Sequence, residues 1–317
     1  MRLFKSILVG IDPTLQRTDP NEPSATTREA VQWGIDLARK NRARIVFFSA
    51  VNTGDDVLWP LEEDDRSRVR RSAHEAADAR LQKLVAQAQQ EGIVTERKVV
   101  EGEAWLKLIQ ESRLEHHDLV IVGAQEAPEA SRLHRFMFGS TAGQLIHSCP
   151  CPVLVSKPQE TQAPSRSINV LVAADLGPNT VDLLKSGQDL AAQLSGRLHV
   201  LHVVQHHLED VCRIGLPDAV QEEYRRKVRV KASEHLQSQL AEAGLDTGTE
   251  IHVADGLELP DVMIERFIRE HSIDVVVVGS SGRHGIWVGH TAERLLPELP
   301  CSVLVIKPAN FVSPQDL

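Results

Sequence analysis

The chain repeats itself at the scale of a domain. Four short blocks of sequence occur twice, in the same order, roughly 150 residues apart, which is the size of a domain and too long for a solenoid unit. The sequence therefore predicts two homologous domains. The matched blocks are 5–12 (KSILVGID) with 167–175 (SINVLVAAD), 118–124 (DLVIVGA) with 274–280 (DVVVVGS), 139–142 (GSTA) with 289–292 (GHTA), and 151–158 (CPVLVSKP) with 301–308 (CSVLVIKP).

Each repeat has the pattern of an α/β domain with a doubly wound parallel sheet. Its apolar runs lack polar alternation, which is typical of strands buried on both faces, and helical segments separate them. We expect Thr26 to open a capping box with Glu29, and Gly196 to end a helix in the C′ position. The predicted strands are 7–12, 44–51, 95–100, 119–122 and 153–156, then 170–175, 198–204, 249–253, 275–278 and 303–306.

Composition narrows the functional classes. The chain has 317 residues, and its formal net charge of −9 argues against a nucleic-acid surface. The four cysteines form no Cys-x-x-Cys pair, so we expect a structural role for Cys149 and Cys151 rather than a zinc or redox site. Few cysteines and the lack of a signal-peptide pattern predict a cytoplasmic protein. No apolar run approaches the ~20 residues of a membrane span.

The combination of motifs resembles the universal stress protein family in its tandem form. The resemblance rests on the strand-one aspartates, the 198–204 strand, the 279–283 loop, the Gly-x-Thr-Ala steps and the Val-Leu-Val strands before Lys-Pro. It implies domains at 1–158 and 167–308, a tail at 309–317, and five strands per domain in the order 3-2-1-4-5. It also implies that the fifth strands pair, making the monomer an intramolecular pseudo-dimer that is open to further dimerisation.

The resemblance implies a nucleotide site in the second domain. ATP-binding members carry Gly-x2-Gly-x9-Gly-Ser/Thr after the fourth strand, where glycines let backbone N–H groups approach phosphate and a helix N-terminus adds positive potential. The second domain keeps the first two glycines, but only six residues precede the third, and histidine replaces Ser/Thr. The candidate residues are Asp175, Val203, Gly279, Gly282, Arg283, Gly289, His290 and Thr291.

The first domain carries a degenerate version of this loop. Glu126 replaces the second glycine, the loop is three residues longer than the pattern, and the acidic charge of Glu126 and Glu129 would repel a triphosphate. Weak binding of ATP or another nucleotide, with no metal beyond accompanying Mg²⁺, is therefore expected only in the second domain. The residues of the degenerate site are Asp12, Gly123, Gly139, Ser140 and Thr141.

Several candidate site residues have two possible interpretations. Asp12 and Asp175 are either ligand contacts or strand-end aspartates bonded to their own loops. Arg283 is either a phosphate partner or an exposed loop charge. His199 and His202 are three residues apart and project from opposite faces of a strand, so we do not expect a metal site there. The role of His206 and His207 stays open.

The sequence favours binding over catalysis. No Ser-His-Asp or Cys-His arrangement follows from the spacing. We expect a stress-response protein that acts by ligand binding or by interaction with protein partners. The alternative is a weak ATPase, or an enzyme acting on a nucleotide-linked or lipid-like ligand.

Overall fold

The computed structural model describes residues 4–13, 23–126, 136–137, 139–158, 167–204, 217–245, 249–255, 258–280 and 300–313. These residues build one ten-stranded sheet with helices on both faces, together with a short two-stranded hairpin. None of the helices in this part of the chain is long and apolar enough to cross a membrane.

The two halves share a common order of five sheet strands and their helices. The first half comprises β1 (Ser6–Gly10), α1 (Ala25–Asn41), β2 (Arg44–Val51), α2 (Asp55–Leu58), α3 (Glu63–Gln90), β3 (Thr95–Glu101), α4 (Ala104–Leu114), β4 (Leu119–Gly123), β5 (Gln125–Glu126), β6 (Phe136–Met137), α5 (Ser140–Ser148) and β7 (Val153–Ser156). The second half comprises β8 (Asn169–Ala173), α6 (Thr180–Gln193), β9 (Arg197–Val204), α7 (Asp218–Ala243), β10 (Glu250–Asp255), α8 (Pro260–Glu270), β11 (Val275–Gly279) and β12 (Ser302–Ile306). The described part of the first half thus has four further elements, α2, β5, β6 and α5.

The strand order confirms the predicted topology. The full sheet reads β10-β9-β8-β11-β12-β7-β4-β1-β2-β3, so each half has the order 3-2-1-4-5. Pairing within each half is parallel, and β12 pairs with β7 antiparallel. The predicted pairing of the fifth strands is therefore confirmed. It removes two apolar sheet edges that would otherwise invite pairing with other chains.

The helices cover the continuous sheet on both faces. One core packs α1, α3, α6 and α7 against one face, and the other packs α4, α5 and α8 against the opposite face. The inner strands of the sheet are buried on both faces, which explains why their sequences lack polar alternation, whereas the edge strands β3 and β10 are exposed or half-buried.

Strand pairing and hydrogen bonds connect the two halves. Leu154 lies directly opposite Leu304 in the antiparallel register. The backbone N–H of Lys157 donates to Ser302 Oγ at 3.1 Å. Beyond β12, the Ser313 hydroxyl donates to the Ser148 carbonyl at 2.8 Å, so Ser313, in the segment predicted as a tail, contacts the first half.

Two predicted helix boundaries are wrong in their details. Helix α1 is capped by Ser24, whose Oγ accepts from the Thr27 N–H at 3.0 Å, so Thr26 lies inside the first turn and opens no capping box. Helix α6 ends with Ser195, not Gly196, in the left-handed region (φ 54). Gly196 is required for another reason, because a Cβ there would overlap the carbonyl oxygen of Ile168.

A buried histidine lies at the amino-terminal edge of the first half. His117 is 4% exposed, and its Nδ1 lies 2.8 Å from the Ser6 hydroxyl. The Arg44 Nε–H donates to the same hydroxyl oxygen, which leaves the hydroxyl hydrogen for the imidazole. Burial and the nearby Arg44 charge lower the pKa of His117 to about 4.

We expect His117 to make the fold sensitive to acid. Its pKa is about 4 in the fold and close to 6.5 in the unfolded chain, so the folded state resists protonation. The contribution of His117 to the free energy of unfolding should be nearly constant above pH 6.5. It should fall by up to roughly 3 kcal/mol as the pH drops towards 4. Urea unfolding at several pH values measures this loss.

The second half supplies the matched variant for that experiment. Ile273 occupies the position equivalent to His117, since both N–H groups bond the carbonyl five residues earlier, at 3.0 Å in each half. His117→Ile should therefore fold, and its free energy of unfolding should fall less between pH 6.5 and 4. An identical acid profile in the variant and the unmodified protein would contradict the assignment.

Candidate functional site

The candidate cleft of the second half lies at the carboxyl ends of β8 and β11, where an open parallel sheet has its crevice. Asp175 follows β8 and is exposed. Its Oδ1 accepts from the Gly177 N–H and from the Thr180 hydroxyl, both at 2.9 Å. The carboxylate thus shapes the loop that leads into α6. The interpretation of Asp175 as an aspartate bonded to its own loop is therefore correct for Oδ1.

Space at the end of the fourth strand differs between the two halves. Among the described residues, a Cβ added at Gly279 would meet only Leu183 Cδ2, at 3.9 Å, which is ordinary contact. A Cβ added at Gly123 would lie 2.9 Å from the Thr26 carbonyl oxygen. The first turn of α1 therefore occupies in the first half the volume that the described part of the second half leaves open.

In the first half, two short segments that follow β4 pair with each other as antiparallel strands. Gln125 pairs with Met137 and Glu126 with Phe136, in antiparallel register. Gly139 precedes α5 and approaches the Gln125 side chain so closely that a Cβ would lie 2.7 Å from its Oε1. Glu126 therefore lies in a short strand, where the predicted pattern would place a glycine turn.

The remaining candidates are placed as follows. Asp12 is exposed in the loop after β1, and Ser140 and Thr141 form the first turn of α5. Val203 is buried and lies beside Ala254 in the register of β9 and β10. Other predicted residues lie outside the described residues, namely Gly282, Arg283, Gly289, His290 and Thr291, together with His206 and His207.

A family model supplies independent identification. The model described as "Universal stress protein family" matches residues 3–157 and again residues 168–307. The chain belongs to the universal stress protein family. The two matches cover nearly the whole chain, and they make the protein a tandem member of a family of stress-response proteins.

Relatives of this family resemble the chain over its full length. It is 26% identical to universal stress protein E of Photorhabdus laumondii, with 99% of this chain and 98% of the relative aligned. The same protein of Escherichia coli K12 is also 26% identical, with coverage of 100% and 98%. A putative universal stress protein of Pseudomonas aeruginosa has the same fold, with a TM-score of 0.67 at 20% identity over 97% and 94% of the two chains.

Two strand histidines have different surroundings. His202 Nδ1 donates to the Ala174 carbonyl at 2.8 Å, as Ser49 Oγ donates to the Ile11 carbonyl in the first half, at 3.1 Å. This position therefore holds the end of strand one in both halves of this universal stress protein. His199 points to the opposite face, as predicted.

Sequence reasoning missed the partners of His199. The imidazole of His199 faces His252 on β10, with ring centroids 6.0 Å apart. A sequence signal existed in His199 of β9 and in the Glu-x-His pattern of β10, but it depends on the alignment of the two strands. The register pairs His199 with Glu250.

Proposed function

We propose that this protein is a stress-response protein that binds a nucleotide weakly in the cleft of its second half. The observation that carries the proposal is the contrast between the two fourth-strand glycines. Gly279 has open space above it among the described residues, whereas α1 fills the space above Gly123. Backbone N–H groups must approach phosphate closely, and the open space beside Gly279 among the described residues supports placing the site in the second half.

The residues of the second half suit the parts of a nucleotide. Gly279 and Gly282 would present backbone N–H groups to phosphates, and the residues from Gly289 to Thr291 would form the following turn. Asp175 would accept from a ribose hydroxyl. A carboxylate accepts up to about four hydrogen bonds, so the two that Asp175 makes within its loop leave capacity for this contact.

The location and mode of action form part of the same proposal. Cys149, Cys151 and Cys301 are buried free thiols, which suits a reducing compartment, and we assign the protein to the cytoplasm. Nucleotide binding would then report the state of the cell to protein partners. The charge of −9 disfavours nucleic acid among those partners.

Calorimetric titration with Mg·ATP tests the proposal. We expect binding in the micromolar range or weaker, about −8 kcal/mol or less favourable, because only six residues separate Gly282 from Gly289. Gly282→Glu should reduce the heat of binding below detection, since it adds bulk and negative charge where phosphate approaches backbone.

The first half provides the control. Glu126→Gly makes the reverse change in the equivalent loop, where α1 leaves no room above Gly123, and should leave the affinity unchanged. Both variants should keep the thermal unfolding midpoint of the unmodified protein. Equal ATP affinity in Gly282→Glu and the unmodified protein would refute the site. A higher ATP affinity in Glu126→Gly would indicate that ATP binds in the first half and would also contradict the proposal.

A further inference from the structure

Three side chains of the second half meet at the amino-terminal ends of β9 and β10, on the side covered by α8. The parallel register sets Glu250 beside His199, and His252 lies two residues further along the same face of β10. His199 Nδ1 is 3.4 Å from Glu250 Oε2, and His252 Nε2 is 3.9 Å from the same oxygen. One nitrogen or oxygen from each residue lies within 4.8 Å of the other two.

Three of the four imidazole nitrogens in this cluster make no hydrogen bond with any residue that the structure describes. His199 is only 4% exposed, yet neither of its ring nitrogens has a partner among the described residues, and the same holds for His252 Nε2. Leaving a buried polar atom unsatisfied costs about 1–3 kcal/mol. Native folds avoid such a cost, and each neutral imidazole has one nitrogen that carries a lone pair. One nitrogen of His199 and Nε2 of His252 can therefore each give a lone pair to a bound ligand.

The first half shows that this arrangement is particular to the second. Val46, Glu96 and Lys98 hold the equivalent register positions, and Lys98 pairs with Glu111 on α4 at 2.6 Å. In the second half this ion pair is replaced by His252 against Phe267, with ring centroids 4.7 Å apart. Where the first half has an ion pair, the second half therefore has imidazoles whose nitrogens make few hydrogen bonds with the described residues.

We propose that His199, Glu250 and His252 bind a zinc ion at the outer edge of the second half. Two imidazoles and one carboxylate form a three-ligand set that zinc accepts, with a fourth position open to water. Tetrahedral zinc with ligands at about 2.1 Å places donors ~3.4 Å apart. Glu250 Oε2 lies 3.4 Å from His199 Nδ1 and 3.9 Å from His252 Nε2, and one donor atom of each residue lies within 4.8 Å of the others, so small side-chain movements would close the set on an ion. Glu250 is half exposed, so its side chain has the freedom to close on the ion and offers an entry path.

Nearby aromatic rings enclose the site. His271 stacks on Phe267 with centroids 3.8 Å apart, and its ring lies 5.3 Å from that of His252. Its Nδ1 is 3.1 Å from the Phe267 carbonyl, which holds the ring in place. Zinc at this position would tie β10, the outermost strand of the sheet, to β9. The site lies at the opposite ends of the strands from the nucleotide cleft, so the two proposals stand independently.

Zinc titration of the metal-free protein tests the proposal, with variants taken from the first half. His199→Val introduces the residue of the equivalent position, Val46, and should fold. It should weaken zinc binding at least 100-fold, because the loss of an outer-shell partner alone typically costs about 10- to 100-fold. His252→Gln provides a second variant with the same expected loss. His202→Ser, which introduces the residue found at Ser49, should keep the full affinity.

Two further readouts separate this site from zinc bound elsewhere. Substitution with Co²⁺ should give the visible absorption of a tetrahedral nitrogen and oxygen site, without the near-ultraviolet band that thiolate ligands produce. Zinc should raise the thermal midpoint of the unmodified protein and of His202→Ser, but not of His199→Val. The proposal is overturned if the metal-free protein takes up no zinc, or if His199→Val and His252→Gln bind it as tightly as His202→Ser does.

Discussion

Replacing Leu154 by aspartate should destabilise the protein by more than about 4 kcal/mol. Leu154 and Leu304 are each 1% exposed and lie opposite one another where β7 meets β12. A carboxylate at this position would lose its hydration in the middle of a continuous sheet. The free energy of unfolding in urea measures the effect.

A graded series separates the charge from the lost packing. Leu154→Ala removes the side chain without adding charge and should cost about 2–5 kcal/mol, through transfer and cavity terms. Leu114→Asp places the same charge on a side chain that is 73% exposed and should change stability by less than about 0.5 kcal/mol. An unfolding midpoint for Leu154→Asp that equals that of Leu114→Asp would show that the two halves do not share a core at this contact.

The sequence was most informative about strands and their order. The predicted ranges 44–51 and 153–156 coincide with β2 and β7, and the other predicted strands differ only at their ends. Such runs are legible because burial on both faces demands continuous apolar residues. The pairing of β7 with β12 followed from the resemblance and from the exposure of two apolar edges.

Helix ends were less predictable because several residues satisfy the same local pattern. Ser24 and Thr26 both precede the first apolar positions of α1, and only the backbone path shows that the N–H of Thr27 reaches Ser24. Gly196 matches the composition of a C′ residue. Ser195 nevertheless takes the left-handed conformation, and packing against Ile168 demands the glycine.

The geometry of the two candidate sites could not be predicted from the sequence either, because it depends on contacts between residues far apart in the chain. Gly123 and Gly279 occupy equivalent places in repeated blocks, and among the described residues the first turn of α1 fills the space beside Gly123 while Gly279 has no such close neighbour. His199 and His252 belong to different strands, so their proximity depends on a register that no local pattern encodes. The sequence therefore identified candidate residues within single motifs, whereas contacts between different helices and strands became known only from the three-dimensional structure.

One repeated signal was visible in the sequence but was not used. Gly34 in α1 and Gly187 in α6 each precede an x-Asp-Leu-Ala run, and both lie where a helix crosses strand one of its half. A Cβ at Gly34 would lie 2.9 Å from Val9 Cγ2, and a Cβ at Gly187 would overlap Val172 Cγ2. The glycines allow helix and strand to approach more closely than any side chain would permit.

Gly187→Leu should therefore destabilise the protein by at least about 3 kcal/mol, since a buried side chain must force α6 away from β8. Gly187→Ala should cost less, about 1–3 kcal/mol, because a single methyl group must be accommodated.

Gly143→Ala is the matched control. Gly143 also lies in a helix, but nothing described lies within 4 Å of its added Cβ, so alanine should stabilise the fold by about 0.5–1 kcal/mol through helix propensity. Opposite signs for the two alanine substitutions, measured by urea unfolding, would establish that close packing, rather than helix propensity, maintains Gly187. A stabilising Gly187→Ala would show that α6 and β8 lie further apart than described.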